Sequence, residues 1–263
     1  MDKVDSKKEI ITEIEPEEIN LKSFENKPSL NEKIWINDKI NSRVRLKLLD
    51  IADSFFNTLD IDWVEVKDII FTGSLANYNW SKYSDIDLHI LIDFNDVDEN
   101  KTLVKNYLDS KKNEWNKTHD NIKIYGYPIE LYVQDISEEN ASTGVFSLEK
   151  NEWLIIPKNT PIGFDKNLKE KEASKLINKI DMLESKINST NDEHKLSQLG
   201  NEVKSIYDKI KKMRKEGLNR EGEKAYENIV FKILRRTNYI EKLILLKNKT
   251  FDILNSIRWD IYY

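Results

Sequence analysis

Asp85 and Asp87 stand one residue apart in a segment that alternates with Ile86, Leu88, Ile90 and Ile92, and the pair Gly73-Ser74 precedes them at a distance of ten intervening residues. Successive side chains of a strand point to opposite faces, so both aspartates and His89 share one face while the aliphatic residues turn to a core. Two carboxylates so close raise each other's pKa unless a cation neutralises them, and hard oxygen ligands of this kind suit Mg²⁺ held together with substrate phosphates. Gly73-Ser74 falls at a strand end before an expected helix start, where free backbone N–H groups and the hydroxyl can hold phosphate oxygens. The two halves together describe a site for a metal-bound nucleoside triphosphate.

The surrounding sequence supplies the elements that must hold these groups. Residues 66–71 form a short apolar strand running into Thr72-Gly73-Ser74, and residues 85–92 form a second strand. Ahead of them Val44, Leu46, Leu48, Leu49, Ile51, Ala52, Phe55, Phe56 and Leu59 recur at the three- and four-residue intervals of an amphipathic helix that covers one face. A helix is expected over residues 99–115, then a strand pair at 122–125 and 129–133 with its turn at Tyr127-Pro128. Glu130 interrupts the second strand of that pair. A lone acid there is costly without a cation nearby, which makes it the candidate for a third carboxylate, with Asp135 at the strand end as the alternative. His89 either contacts substrate or packs beside the site; Asp93 reads as a strand-end cap or solvated group, and His119 and His194 as surface residues.

Gly-Ser, ten residues and Asp-x-Asp in an apolar frame resemble the signature of the DNA polymerase beta-like nucleotidyltransferases, over about residues 40–135. More narrowly, residues 72–89 and the helix before them are similar to nucleotidyltransferase-like proteins of tailed bacteriophages. The resemblance implies that Gly73 and Ser74 hold the terminal phosphates, that Asp85 and Asp87 bind two Mg²⁺ ions, and that a carboxylate on a neighbouring strand, placed at Glu130, completes the site. That third group would bind the first metal and orient or deprotonate the attacking hydroxyl. Two positions depart from the commoner pattern: Leu75 where an arginine is frequent, and Tyr78 where a glycine is frequent. Lys82 or an arginine of the helical half would then have to supply the missing charge.

After the loop at residues 158–163 the sequence is helical in character almost to its end. Leu176, Ile180, Leu183 and Ile187, then Leu196, Leu199, Val203, Ile206, Ile210 and Met213, describe two helices of an antiparallel hairpin joined near residues 189–192. A breaker region at 216–222 separates them from a third helix carrying Ile229, Val230, Ile233, Leu234, Ile240, Leu243 and Leu246. The expected fold is therefore α+β: a small mixed-sheet core with flanking helices over residues 29–160, followed by an all-α domain over 164–263. Residues 1–28, charged and containing Pro16 and Pro28, read as an extended or disordered acidic arm.

The chain of 263 residues is 39% hydrophobic and carries a formal net charge of -5, divided unevenly: residues 165–263 hold 22 Lys/Arg against 16 Asp/Glu, and the first 164 hold 20 against 31. Lys209, Lys211, Lys212, Arg214 and Lys215 crowd one helix end, and Arg235 and Arg236 stand in the third helix. Basic residues there favour the helix dipole and also form a surface for anions. Arg235 and Arg236 are the pair expected to reach the triphosphate or an acidic acceptor, and the lysine cluster is a candidate surface for RNA. With 0 cysteines there is no disulfide, thiolate metal site or catalytic thiol. No stretch is apolar enough for a membrane span, so a cytoplasmic protein is expected. The leading function is Mg²⁺-dependent transfer of a nucleoside monophosphate to a hydroxyl of RNA, protein or a small molecule. The alternatives are a non-catalytic nucleotide-binding or structural protein that keeps the fold, and pyrophosphate transfer of the alarmone synthetase kind.

Overall fold

The computed structural model describes residues 25–140, 142–159, 166–222 and 225–257. Most of the expected arm, residues 1–24, lies outside the described residues. At its end Lys27 N–H donates to the Tyr78 carbonyl at 2.7 Å, tying the entry of the chain to the loop after Gly73-Ser74.

A two-stranded hairpin comes first, β1 (Trp35–Ile36) and β2 (Lys39–Ile40). Asn37 and Asp38 between them both have positive φ, as the tight turn that matches strand twist demands. Its Trp35 stacks on Trp153 at 4.4 Å and on Phe71 at 5.6 Å, and the indole N–H donates to the Leu75 carbonyl at 2.7 Å. Helix α1 (Ser42–Phe56) begins where the Asn41 side chain accepts from Arg43 N–H, and buries Val44, Leu48, Ile51, Ala52 and Phe55.

Six strands then make one mixed sheet in the order β5-β6-β4-β3-β7-β8. They are β3 (Asp68–Thr72), β4 (Ile86–Ile92), β5 (Lys123–Ile124), β6 (Tyr127–Asp135), β7 (Val145–Ser147) and β8 (Glu152–Ile155). Strands β4 and β6 run parallel and the other pairs antiparallel. A parallel pair needs a crossover, which α2 (Lys101–Thr118) provides, started by Asn100 capping Leu103 N–H. Ile86, Leu88, Ile90 and Ile92 of β4 are fully buried, so the core lies on one face of the sheet and the aspartates on the other.

Two expectations in this half need correction. The turn between β5 and β6 is Tyr125-Gly126, not Tyr127-Pro128: both turn residues have positive φ, a conformation that proline cannot take. Pro128 instead sits in β6 just ahead of Ile129, the first residue paired with β4, where no N–H is required for that ladder. Strand β7 was not foreseen, since three residues carry too little periodicity to be read.

The second half holds α3 (Lys166–Asn188), α4 (Glu193–Glu221), α5 (Tyr226–Arg236) and α6 (Tyr239–Asn255), with a separate apolar core. Helix α4 continues through the expected breaker region to Gly222. Gly217 lies inside it because a side chain there would meet Ala225 and Glu227, at 3.0 Å and 2.7 Å. The expected third helix is two. Asn238 takes a left-handed conformation, φ 61°, which ends α5 at Arg236 and starts α6 in a new direction. Arg235 and Arg236 therefore occupy the last turn of α5 rather than the middle of a helix.

Candidate functional site

Antiparallel pairing sets Thr72 opposite Asp87, so the chain leaving β3 at Gly73 passes directly against that aspartate. Gly73 has φ 76°, and a Cβ on it would lie 1.7 Å from Asp87 Oδ2. Any side chain here would have to adopt a strained backbone and displace the Asp87 carboxylate. Ser74 opens a single 3-10 turn, Ser74–Ala76, and its hydroxyl lies 2.7 Å from that of Ser84, which in turn accepts from Ser81 N–H. The loop before the aspartates is thus fastened to the loop after β3.

Asp85 stands one residue ahead of β4, and Asp87 is its second residue. Parallel register sets Glu130 of β6 beside Asp87. One carboxylate oxygen from each of Asp85, Asp87 and Glu130 lies within 4.8 Å of the other two, an arrangement able to hold a divalent cation. Asp135, the alternative, is elsewhere: it pairs with Ile92 at the far end of the strands, is buried, and accepts from Phe94 N–H at 3.0 Å, Ser137 N–H at 2.8 Å and Lys101 at 3.1 Å. Its surroundings are those of a structural cap.

The electrostatics of the cluster follow from burial. Withdrawal from water pushes the Asp85 carboxyl above its usual range; Arg235 opposes the rise and Glu130 adds to it. Lys112 Nζ sits 3.8 Å from Glu130 and 3.4 Å from the centre of the Tyr132 ring, and burial holds its ammonium below the ordinary lysine range. Tyr132 stacks on His89 at 4.7 Å, and burial with the charge of Glu130 keeps its phenol protonated. His89 Nδ1 lies 2.8 Å from Gln134 Oε1, which can only accept, and burial lowers its imidazole.

Helix α5 closes the site from the other half of the chain. Arg235 Nη2 lies 4.0 Å from Asp85 Oδ2, and Arg236 lies over the Tyr83 ring at 5.0 Å with Nη2 3.4 Å from Ser81 Oγ. Burial, with Arg235 beside it, brings the Arg236 guanidinium down to about 10, still charged at neutral pH. A cleft of about 230 Å³ lies between these arginines and the three carboxylates, with Ser74 in its wall. Lys232, one turn before Arg236, lines it too, as does Arg214 of α4, whose guanidinium rests on the Phe231 ring at 4.1 Å and donates to Asn228 Oδ1.

Most of the residues singled out in the sequence thus converge. Lys82 does not: it is exposed, with Nζ 4.8 Å from the centre of the Tyr83 ring, and does not line the cleft. Arg214 parts from the cluster it was grouped with, facing the cleft while Lys209, Lys211, Lys212 and Lys215 are exposed. Tyr132 and Ser84 were missed, although strand alternation puts Tyr132 on the face of Glu130. Leu75, in place of the frequent arginine, is fully buried, so no charge could stand there without desolvation.

The sequence model of one family, described as the nucleotidyltransferase domain, matches residues 52–205. This chain belongs to that family. The matched span takes in the whole six-stranded sheet and runs on through α3 into α4. Comparison with curated proteins and with solved structures found no match. Among the described residues no helix is long and apolar enough to cross a membrane.

Proposed function

We propose that the protein transfers a nucleoside monophosphate from a nucleoside triphosphate to a hydroxyl acceptor, releasing pyrophosphate, with Asp85, Asp87 and Glu130 as ligands for two Mg²⁺ ions. The observation that carries this reading is the meeting of the three carboxylates under a cation-rich lid: the family supplies the transfer, and the α5 arginines supply the positive charge that Leu75 cannot. The donor set fits the metal, being three oxygens on one face with Gly73 leaving room at Asp87. When bound, the ions neutralise phosphate charge and steady the entering and leaving oxygens. Ser74 and the N–H groups of its turn hold phosphate oxygens, while Arg235, Arg236 and Lys232 meet the outer phosphates through forked and point donors. Glu130 orients the acceptor hydroxyl and takes its proton.

The division of labour follows the expected domains, residues 29–160 carrying the carboxylates and 164–263 the clamp. The likeness of residues 72–89 to phage proteins belongs to the same proposal, as does a cytoplasmic location, which for a phage-encoded protein is that of the host. A non-catalytic nucleotide-binding module is the second reading, favoured by Leu75. Calorimetric titration of the four ribonucleoside triphosphates with Mg²⁺ tests both. Metal-dependent binding by the wild type that is lost in Asp85→Ala/Asp87→Ala, with pyrophosphate release lost in parallel, is the expected result. Release unchanged in the double variant would sink the proposal, and binding without release would favour the second reading.

A further inference from the structure

A second cleft, of about 350 Å³, opens on the other side of Asp87. The two clefts share Asp87, Tyr132, Arg214 and Lys232 and differ in everything else that lines them. The first adds Arg235 and Arg236. The second runs outward past His89 to Gln134, Glu138, Glu139, Asn140 and Ser142. Its inner end thus carries the two shared cations, and its outer end carries Glu139, Glu138, whose carboxylate meets Lys105 Nζ at 2.6 Å, and neutral side chains that both donate and accept hydrogen bonds.

We propose that this second cleft is the acceptor site and that it takes a compact uncharged polyol rather than a polynucleotide or a phosphorylated compound. The inference rests on the nucleotidyl-transfer reading above. A hydroxyl group both donates and accepts, as the mixed lining requires, whereas a phosphate would meet the exposed Glu139 carboxylate at the outer end, beside a Glu138 already paired with Lys105. The volume lies near the lower end of the range for small-molecule sites, about 300 to 1,000 Å³. The exposed lysines at 209, 211, 212 and 215 do not line this cleft, so they offer no continuous cationic track into it. In the reaction, one hydroxyl oxygen reaches the junction at Asp87 and forms a bond to the α-phosphorus. The bond from that phosphorus to the bridging oxygen breaks, pyrophosphate leaves with the electron pair, and the hydroxyl proton passes to Glu130, whose carboxylate lies within 4.8 Å of that of Asp87.

The test is pyrophosphate release from ATP and Mg²⁺ by the full chain with glucose, myo-inositol, glucose 6-phosphate or a ten-nucleotide RNA as acceptor. The expected result is stimulation by glucose or myo-inositol at least tenfold above that by glucose 6-phosphate or the RNA. Glu139→Lys, at an exposed position, should narrow or invert the preference between glucose and its 6-phosphate, and Glu138→Gln should narrow it in the same direction. Preference for the phosphorylated sugar or the RNA overturns the proposal, as does a ratio that neither variant moves. Calorimetric binding of ATP with Mg²⁺, measured on the same samples, separates the two levels. Binding with no stimulation by any acceptor overturns the polyol assignment and leaves the nucleotide site standing; absence of binding overturns the transfer reading and this inference with it.

Discussion

Gly73 couples the two parts of the motif at the level of single atoms. Because a Cβ at that position would stand 1.7 Å from Asp87 Oδ2 and the backbone is left-handed, Gly73→Ala must displace the aspartate, the loop, or both. The expected cost is about 1 to 3 kcal/mol of stability, read by urea unfolding, together with loss of Mg²⁺-dependent nucleotide binding in calorimetry. Asp135 shows the opposite use of a carboxylate. Burial would raise its pKa, but the hydroxyl and N–H of Ser137, the Lys101 ammonium and Phe94 N–H bring it down to about 2. A folded pKa below the unfolded value of about 3.9 stabilises the native state above that pH, by about 2 kcal/mol, and the contribution is lost as pH falls through about 2. Asp135→Asn should therefore lower stability by about that amount at pH 7, and the gap from wild type in urea midpoint should shrink toward pH 2.

Among the elements, α5 matters most for the site. Lys232, Arg235 and Arg236 lie three and four residues apart, so they share one helix face, and the left-handed Asn238 ends the helix where that face meets Asp85 and Tyr83. Arg235→Ala/Arg236→Ala should weaken binding of ATP with Mg²⁺ by at least about tenfold, since each charge-assisted hydrogen bond is worth roughly 1.5 to 3 kcal/mol. Circular dichroism should be unchanged, because neither guanidinium belongs to the apolar core of that half. An affinity equal to wild type would remove α5 from the site.

Among the described residues the molecule has two apolar cores, one formed by residues 30–148 and one by residues 173–246, with the cleft between the sheet and α5. A ligand bridging that cleft stabilises the folded state of both halves. Hydrogen exchange with ATP and Mg²⁺ present should show added protection in residues 72–87 and in α5 together, and the double arginine variant should lose the α5 part. Rising ionic strength should weaken nucleotide binding, since Arg235 is substantially exposed and its attraction is screened.

The local pattern of the sequence determined a good deal of this. Alternation of Asp85, Asp87 and His89 with buried aliphatics marked the carboxylate-bearing face of β4, and an acid interrupting an apolar strand marked Glu130. Three- and four-residue periodicity revealed the helical half, because those signals arise within one element. Tertiary structure alone decided what depends on neighbours: the parallel register that sets Glu130 rather than Asp135 beside Asp87, the turn at Tyr125-Gly126, and the break at Asn238. Arg235 and Arg236 are the pair that residue type favours for reaching the triphosphate, with Lys82 as another source of the missing charge, but charge does not record direction. Only the packing of α5 across the sheet turned the arginines toward the carboxylates and left the lysine exposed beside Tyr83.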